Sequence, residues 1–321
     1  MMKRKKVLIT RKIPQSGINL LCEKVEVEIW PDDLPIPRDV LLSKIHDVDG
    51  LICMLSDLID KDLLDEAVCL KVIANYAVGI DNIDVSYARQ KGIRVGNTPG
   101  ILTETTADLA FSLLMTVSRR IVEAVDYVKA GQWKTWGAQL LMGNDIWGRT
   151  LGIIGFGRIG QAMARRGLGF GMKVLYYSRS PKPDLEREMG VKYASLEEIY
   201  RQSDYISLHT DLNDSSRGLI DKEALNQMKS NCIIINTARG PVIRTDDLID
   251  ALESGKIAGA GLDVTDPEPI EKDSKLLTLN NCVVVPHIGS ASYATRGKMS
   301  LMVAENIIAG LSGESLPYEV K

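Results

Sequence analysis

Three residues suited to acid–base and anion chemistry stand in the second half of the chain: Arg239, Glu268 and His287. Each lies a few residues beyond an apolar run that is typical of a β-strand. The runs are 232–236, 258–263 and 282–285. In an open α/β sheet, the carboxyl ends of the strands line the crevice in which ligands bind. The spacing therefore predicts that a guanidinium, a carboxylate and an imidazole come together at one sheet edge.

This set of side chains suits the reduction of a 2-keto acid. An arginine can hold both carboxylate oxygens of the substrate and stabilise charge that develops on its carbonyl. Hydride from a nicotinamide leaves the carbonyl oxygen in need of a proton, which His287 can give near neutral pH. A carboxylate on the other ring nitrogen, the role predicted for Glu268, orients the ring and favours its protonated form.

Each of the three residues also has an ordinary structural interpretation when it is considered alone. A strand-end arginine often forms a surface ion pair, and a glutamate between two prolines is often in a turn. His287 could be a hydrogen-bonded core residue. The joint placement favours the chemical interpretation. His209, in the motif LHTDL, is an alternative base, for which a structural role on the cofactor side is favoured.

The segment LGIIGFGRIGQAMA, at 151–164, places three glycines between an apolar strand and a helix. A GxGxxG pattern in this strand–turn–helix setting predicts a dinucleotide-binding loop. The glycines allow a tight turn, a close approach of backbone to a pyrophosphate and close helix–strand packing, while helix N-terminal amides face the phosphates. The predicted cofactor contacts of the loop are Gly155, Phe156, Gly157, Arg158, Ile159 and Gly160.

The next strand, KVLYYSRS at 173–180, ends without the acidic residue that would bind the hydroxyls of an adenosine ribose. A 2′-phosphate would be repelled by a carboxylate at that position. Ser178 can donate a hydrogen bond, and Arg179 can grip phosphate through two nitrogens; Ser180 completes the polar turn. The sequence therefore predicts a preference for NADP(H), with NAD(H) possible if these residues form only a polar strand end.

Two series of short β-rich runs, separated by helical patterns, position these residues. Strands that alternate with helices predict parallel sheets with right-handed crossovers. The first series is 7–10, 25–30, 50–55, 72–77 and 93–96, and the second is 151–154, 174–177, 205–208, 232–236, 258–263 and 282–285. The six runs of the second series match a doubly wound dinucleotide fold.

Two helical segments and one irregular segment complete the pattern. A long helix is predicted from 101 to about 130, with Ala110, Leu113, Leu114, Val117 and Ile121 on one apolar face. The loop-like segment that follows contains three of the four tryptophans, which predicts a packed arm, a subunit interface or the edge of a substrate pocket. The amphipathic segment 291–310 could pack on either domain.

The composition excludes several classes of protein. The chain has 321 residues, is 45% hydrophobic and carries a net charge of −3, so nothing points to nucleic acid or to an anionic membrane. No apolar stretch approaches the roughly 20 residues of a membrane span, and the N-terminus lacks a signal-peptide core. The five cysteines are scattered and no metal-ligand spacing occurs. We expect a cytoplasmic protein without a metal.

Several motifs, in this order and spacing, resemble the D-isomer-specific 2-hydroxyacid dehydrogenases over nearly the whole chain. The motifs are NYAVGIDNID, NTPGILTETTADLAFSLLMTVSRR, GIIGFGRIG, NTARG, GAGLDVTDPEP and PHIGSA. Within that family the sequence looks most similar to the glyoxylate/hydroxypyruvate reductases. The resemblance implies an α/β fold with two doubly wound parallel-sheet domains and a cleft between them. These are a Rossmann dinucleotide domain, at 100–287, and a flavodoxin-like substrate domain, at 1–99 and 288–321.

The resemblance also implies roles for individual residues. It makes Arg239 the substrate-binding arginine, Glu268 the partner of the histidine and His287 the acid/base. Substrate contacts are expected at Leu55, Ser56, Val78, Gly79 and Trp136. Further cofactor contacts are expected at His209, Thr237, Ala238 and Asp263. The segment 101–145 would form the arm of a homodimer, with Trp136 reaching the neighbouring subunit's pocket.

The leading hypothesis is an NADPH-preferring reductase of small 2-keto acids, which forms glycolate from glyoxylate and D-glycerate from hydroxypyruvate. One alternative is a reductase of a longer keto acid such as 2-ketogluconate. An alternative from another class is a dinucleotide-sensing protein similar to the transcriptional co-repressors of this fold. Val78 stands where phosphite-oxidising relatives carry a lysine, and the setting PHIGS differs from that of formate-oxidising relatives, so both of those substrates are disfavoured.

Overall fold

Two parallel β-sheets organise residues 4–321, the part of the chain that the computed structural model describes. Residues 1–3, which the predicted first domain includes, lie outside that range. The chain divides into one unit formed by 4–102 with 290–321 and a second formed by 103–289. Within the described residues, no helix is both long and apolar enough to cross a bilayer.

The strands of both units are short, whereas the helices range from six residues in α3 to twenty in α12. The strands are β1 Lys6–Ile9, β2 Glu26–Ile29, β3 Gly50–Cys53, β4 Val72–Asn75, β5 Arg94–Gly96, β6 Thr150–Ile154, β7 Lys173–Tyr177, β8 Lys192–Tyr193, β9 Tyr205–Leu208, β10 Ile233–Asn236, β11 Gly259–Leu262 and β12 Cys282–Val284. The helices are α1 Gln15–Cys22, α2 Arg38–Ile45, α3 Lys61–Glu66, α4 Val85–Gln90, α5 Thr103–Ser118, α6 Ile121–Lys129, α7 Arg158–Gly169, α8 Pro183–Met189, α9 Leu196–Gln202, α10 Lys222–Gln227, α11 Thr245–Glu253 and α12 Tyr293–Ser312.

The two sheets have the topologies predicted for this fold class. The first unit has the strand order β2-β1-β3-β4-β5, and the second has β12-β11-β10-β9-β6-β7-β8. All the pairs between these strands are parallel. The central strands β4 and β10 are buried along their whole length, because helices cover both faces of a parallel sheet. The prediction of two doubly wound α/β domains is confirmed.

The predicted long helix is two helices. It breaks after Ser118, and Arg120 has left-handed backbone dihedrals (φ 51°) at the start of α6. The turn changes the direction of the chain. As a result, α5 buries its apolar face in the second unit, whereas Ile121 at the start of α6 is exposed. No glycine or proline marks this break, and the amphipathic pattern continues across it, which is why the sequence predicted a single helix.

The C-terminal helix α12 belongs to the first unit, where it packs on α1 and on β3 and β4. Close approach to α1 depends on Gly17, because a Cβ at that position would lie 2.2 Å from the carbonyl oxygen of Ser300. The apolar residues Met299, Val303 and Ile307 are buried. The C-terminal segment therefore completes the unit that contains the first hundred residues.

Candidate active site

The three predicted catalytic residues follow neighbouring strands of the second unit. Strand β11 pairs in parallel with β10 on one side and with β12 on the other. Arg239 follows β10, Glu268 follows β11 and His287 follows β12. Because parallel neighbours end at the same edge of a sheet, the strands deliver an arginine, a glutamate and a histidine to one edge.

His287 and Glu268 contact each other directly. The Nδ1 atom of His287 lies 2.5 Å from Oε1 of Glu268, and both side chains are partly exposed to solvent. Since the carboxylate engages Nδ1, the ring is oriented and Nε2 is left to exchange a proton. The backbone of His287 is in the left-handed region, with φ 50°, which is uncommon for a residue other than glycine.

Asp263 holds the chain around His287 in this conformation. Its carboxylate accepts hydrogen bonds from the N–H groups of Ile288 (2.6 Å) and Gly289 (2.8 Å), and its main-chain carbonyl accepts one from the His287 N–H (3.0 Å). Burial raises the pKa of the Asp263 carboxyl, while the Ile288 amide, His287 and the Gly289 amide act in the opposite direction. Both oxygens are therefore already engaged in anchoring the histidine loop.

The turn that carries Arg239 is fixed from both sides. The side chain of Asn236 donates to the Arg239 carbonyl (2.9 Å) and accepts from the Ala238 N–H (3.0 Å). Gly240 lies against the segment after β11, because a Cβ there would come within 1.9 Å of the Thr265 carbonyl oxygen. The arginine is thus held on a turn that touches the segment leading to Glu268.

His209 is a poor alternative to His287 as the acid/base. Burial lowers the pKa of His209 to about 3, so its imidazole is neutral and weakly basic at neutral pH. Nε2 is 2.8 Å from the Ser207 hydroxyl. The main chain of His209 packs on the dinucleotide loop, because a Cβ on Gly155 would lie 2.4 Å from the His209 carbonyl oxygen.

The glycine-rich loop has the geometry expected for a dinucleotide. Gly155 has φ 95° and closes the turn after β6, and a Cβ at Gly160 would lie 2.1 Å from the Gly155 carbonyl oxygen. At Gly157 nothing lies within 4 Å of the Cβ position, so the backbone is open to a ligand. Gly157 is also the N-cap of α7, whose first-turn N–H groups, including those of Arg158 and Ile159, lack intrahelical partners.

The side chain of Phe156 packs in the core of the second unit, so the cofactor contact predicted for this residue is left to its main chain. It is 1% exposed and its ring stacks on Tyr176, with 4.0 Å between the ring centroids. Only the main chain of Phe156 is available to a cofactor. The pattern GFG could not reveal this, because the direction of the phenylalanine depends on the neighbouring strand.

Two buried polar atoms just beyond β9 and β10 lack hydrogen-bond partners, namely Nδ1 of His209 and Oγ1 of Thr237. Buried polar atoms are normally paired, so both are available to a ligand with its own donors and acceptors. Ala238, beside Thr237, is buried. With the open backbone at Gly157, these orphaned atoms fit a dinucleotide cofactor at the carboxyl edge of the second sheet.

The end of β7 carries hydroxyls and a cation. Ser178 donates from Oγ to the Ser180 carbonyl (2.7 Å), which folds the strand end into a tight turn, and Arg179 is exposed. The Gly155 N–H donates to the carbonyl of Tyr177 (2.9 Å), so this turn lies directly beside the dinucleotide loop.

The predicted substrate contacts Leu55, Ser56, Val78 and Gly79 follow β3 and β4 in the first unit. The carbonyl of Val78 accepts from the Asn97 side chain (2.8 Å), and that of Gly79 accepts from the Asn75 side chain (2.7 Å). Within residues 4–321 the N–H groups of Val78 and Gly79 donate to no protein acceptor. Two adjacent amides are thus left for an anion.

The asparagines and one arginine around these loops were not predicted from the sequence. Asn75 lies within the predicted strand run 72–77, and Asn97 directly follows the run 93–96. Arg11, which follows β1, donates from Nη2 to the Ser56 hydroxyl (3.0 Å). The sequence does show that each of these residues lies at or just beyond the carboxyl end of a strand, where ligand contacts are common. Their hydrogen-bond partners could not be predicted, because these depend on the order of the strands in the sheet.

Helix α6 and the following segment present many exposed apolar side chains. Within its bounds α6 has no buried residue, and its exposed valines include Val122, Val125 and Val128. Trp133 and Trp136 are also exposed, the latter by 80%. Contiguous exposed apolar residues are typical of an interaction surface.

The chain is similar to known proteins over nearly all of its length. Residues 111–289 match the family described as D-isomer specific 2-hydroxyacid dehydrogenase, NAD binding domain. The chain is 49% identical to a glyoxylate reductase from Thermococcus kodakarensis, over 98% of this chain and 95% of the relative. It is 47% identical to the human glyoxylate reductase/hydroxypyruvate reductase, over 98% of both chains.

A solved structure with the same fold contains a cofactor. It is an NADPH-dependent glyoxylate/hydroxypyruvate reductase from Sinorhizobium meliloti in complex with NADP and malonate, with a TM-score of 0.87 and 33% identity, covering 99% of this chain and 97% of that one. The family match spans more than half of the chain, and the relatives match it from end to end. The chain therefore belongs to the D-isomer-specific 2-hydroxyacid dehydrogenase family.

Proposed function

We propose that this protein is an NADPH-preferring reductase that converts glyoxylate to glycolate and hydroxypyruvate to D-glycerate. The observation that carries the proposal is the His287–Glu268 pair, with 2.5 Å between Nδ1 and Oε1, at the sheet edge that also receives Arg239. The chain also shares 47–50% identity with three glyoxylate reductases along nearly its full length.

Substrate binding is assigned to cationic and amide donors. Arg239 would hold carboxylate and carbonyl oxygens, since a guanidinium offers paired N–H groups in a planar fork. The N–H groups of Val78 and Gly79, which have no acceptor in the described part of the chain, would bind the substrate carboxylate. Leu55 and Ser56, which follow β3, would limit the length of the substrate.

Proton transfer is assigned to His287. With Nδ1 held by Glu268, the protonated ring would donate from Nε2 to the carbonyl oxygen as it becomes a hydroxyl. A bound nicotinamide dinucleotide would supply the hydride. In the reverse direction, neutral His287 would accept the hydroxyl proton of the 2-hydroxy acid.

The cofactor is assigned to the glycine-rich loop and the end of β7. The open backbone at Gly157 and the first turn of α7 would bind the pyrophosphate. Thr237 and Asp263, at the ends of β10 and β11, and His209 would face the rest of the dinucleotide. Arg179, with Ser178, would bind a 2′-phosphate, which is the basis for the preference for NADPH.

Arg179→Ala is expected to weaken NADPH binding by roughly 5- to 150-fold, the range for one lost charge-assisted hydrogen bond, and NADH binding by much less. Fluorescence titration of each dinucleotide gives both Kd values. Arg187→Ala is the control, because Arg187 is an exposed arginine of α8 that pairs with Asp184. Equal losses for the two dinucleotides with Arg179→Ala would contradict recognition of a 2′-phosphate.

A homodimer is proposed through the apolar surface of α6 and the tryptophan segment, with Trp136 contributing to the pocket of the neighbouring subunit. Val125→Glu is expected to convert the dimer to a monomer in analytical ultracentrifugation, because it places a charge on that surface. Val68→Glu, at an exposed valine of the first unit (69% exposed) outside that surface, should leave the sedimentation unchanged. Unaltered sedimentation of Val125→Glu would contradict this interface.

Values of kcat/KM for glyoxylate, hydroxypyruvate, pyruvate and 2-ketogluconate, each with NADPH and with NADH, test the proposed function. We expect kcat/KM to be highest for glyoxylate and hydroxypyruvate, in each case with NADPH. A lead for 2-ketogluconate would favour the longer-substrate reductase, and dinucleotide binding with negligible turnover would favour the sensing protein.

The unpaired cysteines are compatible with the predicted cytoplasmic location, which stays a prediction.

A further inference from the structure

Two asparagine side chains in the first unit form a short chain of hydrogen bonds between loops. Nδ2 of Asn75 donates to the carbonyl of Gly79 (2.7 Å) and to Oδ1 of Asn82 (3.0 Å). Nδ2 of Asn82 then donates to the carbonyls of Met54 and Asp57, both at 3.0 Å. The amide pair thus links the loop after β4 to the loop after β3.

The orientation of both amide groups follows from their partners. Main-chain carbonyls can only accept hydrogen bonds, so Asn82 must present its NH₂ group to Met54 and Asp57. Its oxygen then faces Asn75, which must present its own NH₂ group to that oxygen and to the Gly79 carbonyl. Each donor in the chain has an acceptor, and the arrangement cannot be reversed without placing oxygen against oxygen.

The carboxylate of Asp57 also holds the loop after β3. The Met54 N–H donates to Oδ2 of Asp57 (2.7 Å), and the Thr10 hydroxyl donates to the same oxygen (2.5 Å). Asp57 is 4% exposed. Asn82 therefore binds a loop whose conformation is fixed by its own hydrogen bonds. Because Asn82 joins the two loops, a movement of the 54–57 loop would also move the loop after β4.

The linked loops are the two that carry the predicted substrate contacts. Asn82 contacts the carbonyls on either side of Leu55 and Ser56, and Asn75 contacts the carbonyl of Gly79. Asn75 fixes the peptide after Gly79 through the Gly79 carbonyl, while Asn97 fixes the peptide between Val78 and Gly79, which carries the Gly79 N–H, through the Val78 carbonyl. The N–H groups of Val78 and Gly79 have no protein acceptor among residues 4–321. Fixed donors bind an anion better than donors that must first be ordered.

We propose that Asn75 and Asn82 are positioning residues that hold the loops after β3 and β4 in register, so that the amides of Val78 and Gly79 are aimed at the substrate carboxylate. The inference rests on the proposed function, because it assigns that carboxylate to these amides. Neither asparagine touches the substrate. Their contribution is to the affinity for the keto acid and not to binding of the dinucleotide.

Substitution of Asn82 separates this role from folding. Asn82→Ala removes both donors, and we expect KM for glyoxylate and Ki for oxamate, an unreactive analogue with the same carboxylate, to rise together by roughly tenfold or more. The Kd of NADPH should stay within about twofold and kcat should fall less than KM rises. Ser300→Ala is the control, since it removes a buried acceptor of the Gly17 N–H (3.0 Å) elsewhere in the same unit.

Asn82→Asp gives a second readout that keeps the volume of the side chain. Its second oxygen would face the carbonyls of Met54 and Asp57, where only a protonated carboxyl can donate. The ratio of its KM to that of the wild type should therefore rise with pH, whereas the ratio for Asn82→Ala should not change.

The outcomes are distinct. Parallel increases in KM and in Ki, with the pH dependence confined to Asn82→Asp, support positioning. Unchanged KM and Ki in both folded variants, or a fall in kcat and in the thermal midpoint that Ser300→Ala reproduces, would overturn it. Failure of the wild-type protein to reduce glyoxylate would instead contradict the proposed function, and it is measured first.

Discussion

Replacement of His287 by alanine is expected to lower kcat for glyoxylate reduction by roughly 10²- to 10⁴-fold, the usual contribution of a positioned acid or base. The Kd of NADPH should change by less than about twofold, because the glycine-rich loop that is assigned to the pyrophosphate lies on other strands. The effect is large because the alternative base, His209, is poorly suited to replace the imidazole: it is neutral and weakly basic, with a pKa of about 3.

The measurement is steady-state oxidation of NADPH by glyoxylate at saturating substrate, with dinucleotide titration in parallel. His46→Ala is the matched control, since His46 is an exposed histidine at the end of α2 in the first unit. A His287→Ala variant with kcat near the wild-type value would show that another group donates the proton, and it would remove the chemical basis for the proposed function.

Much of the fold could be predicted because parallel sheets leave a clear pattern in a sequence. Strands buried on both faces are short continuous apolar runs, and the runs predicted here overlap the strands of both sheets apart from β8. That strand, Lys192–Tyr193, has only two residues at a sheet edge. The helix break at Arg120 was missed for a related reason, since the turn is imposed by tertiary packing and no local residue signals it.

The candidate site could be predicted to the level of residue type and strand end. The spacing placed Arg239, Glu268 and His287 beyond the carboxyl ends of three strands, and the adjacency of those strands then brings the residues to one edge. The contacts between individual side chains could not be predicted from the spacing. Asn75 and Asn82 are seven residues apart, but their link to Met54 and Asp57 depends on the neighbouring strand β3.

The direction in which a side chain points could not be predicted from the sequence either. Phe156 stands between two glycines of the dinucleotide loop, yet its ring packs on Tyr176 of the adjacent strand. Asp263 stands at the end of β11, where a cofactor contact is predicted, and its carboxylate also holds the N–H groups of Ile288 and Gly289, which the sequence did not indicate. Strand ends therefore supply both ligand contacts and the anchors that hold those contacts in place.

Arg239→Gln is expected to lower kcat/KM for glyoxylate by roughly 10²- to 10³-fold, because it removes donors to an oxygen on which charge develops in the transition state. Arg239→Lys should recover only part of that loss, since an ammonium keeps the charge but lacks the planar fork that matches two oxygens. The Ki of oxamate should rise in both variants, and more in Arg239→Gln. Dinucleotide binding should change little, because the assigned phosphate contacts lie after β6 and β7.

Arg244→Gln is the control for this series. Arg244 is an exposed arginine on the same segment, five residues further along the chain, where it precedes α11. A comparable fall in kcat/KM for that control would mean that the loss comes from the fold of the segment after β10 and not from substrate binding. A full recovery by Arg239→Lys would show that positive charge alone is needed, and the paired geometry assigned to the guanidinium would then be wrong.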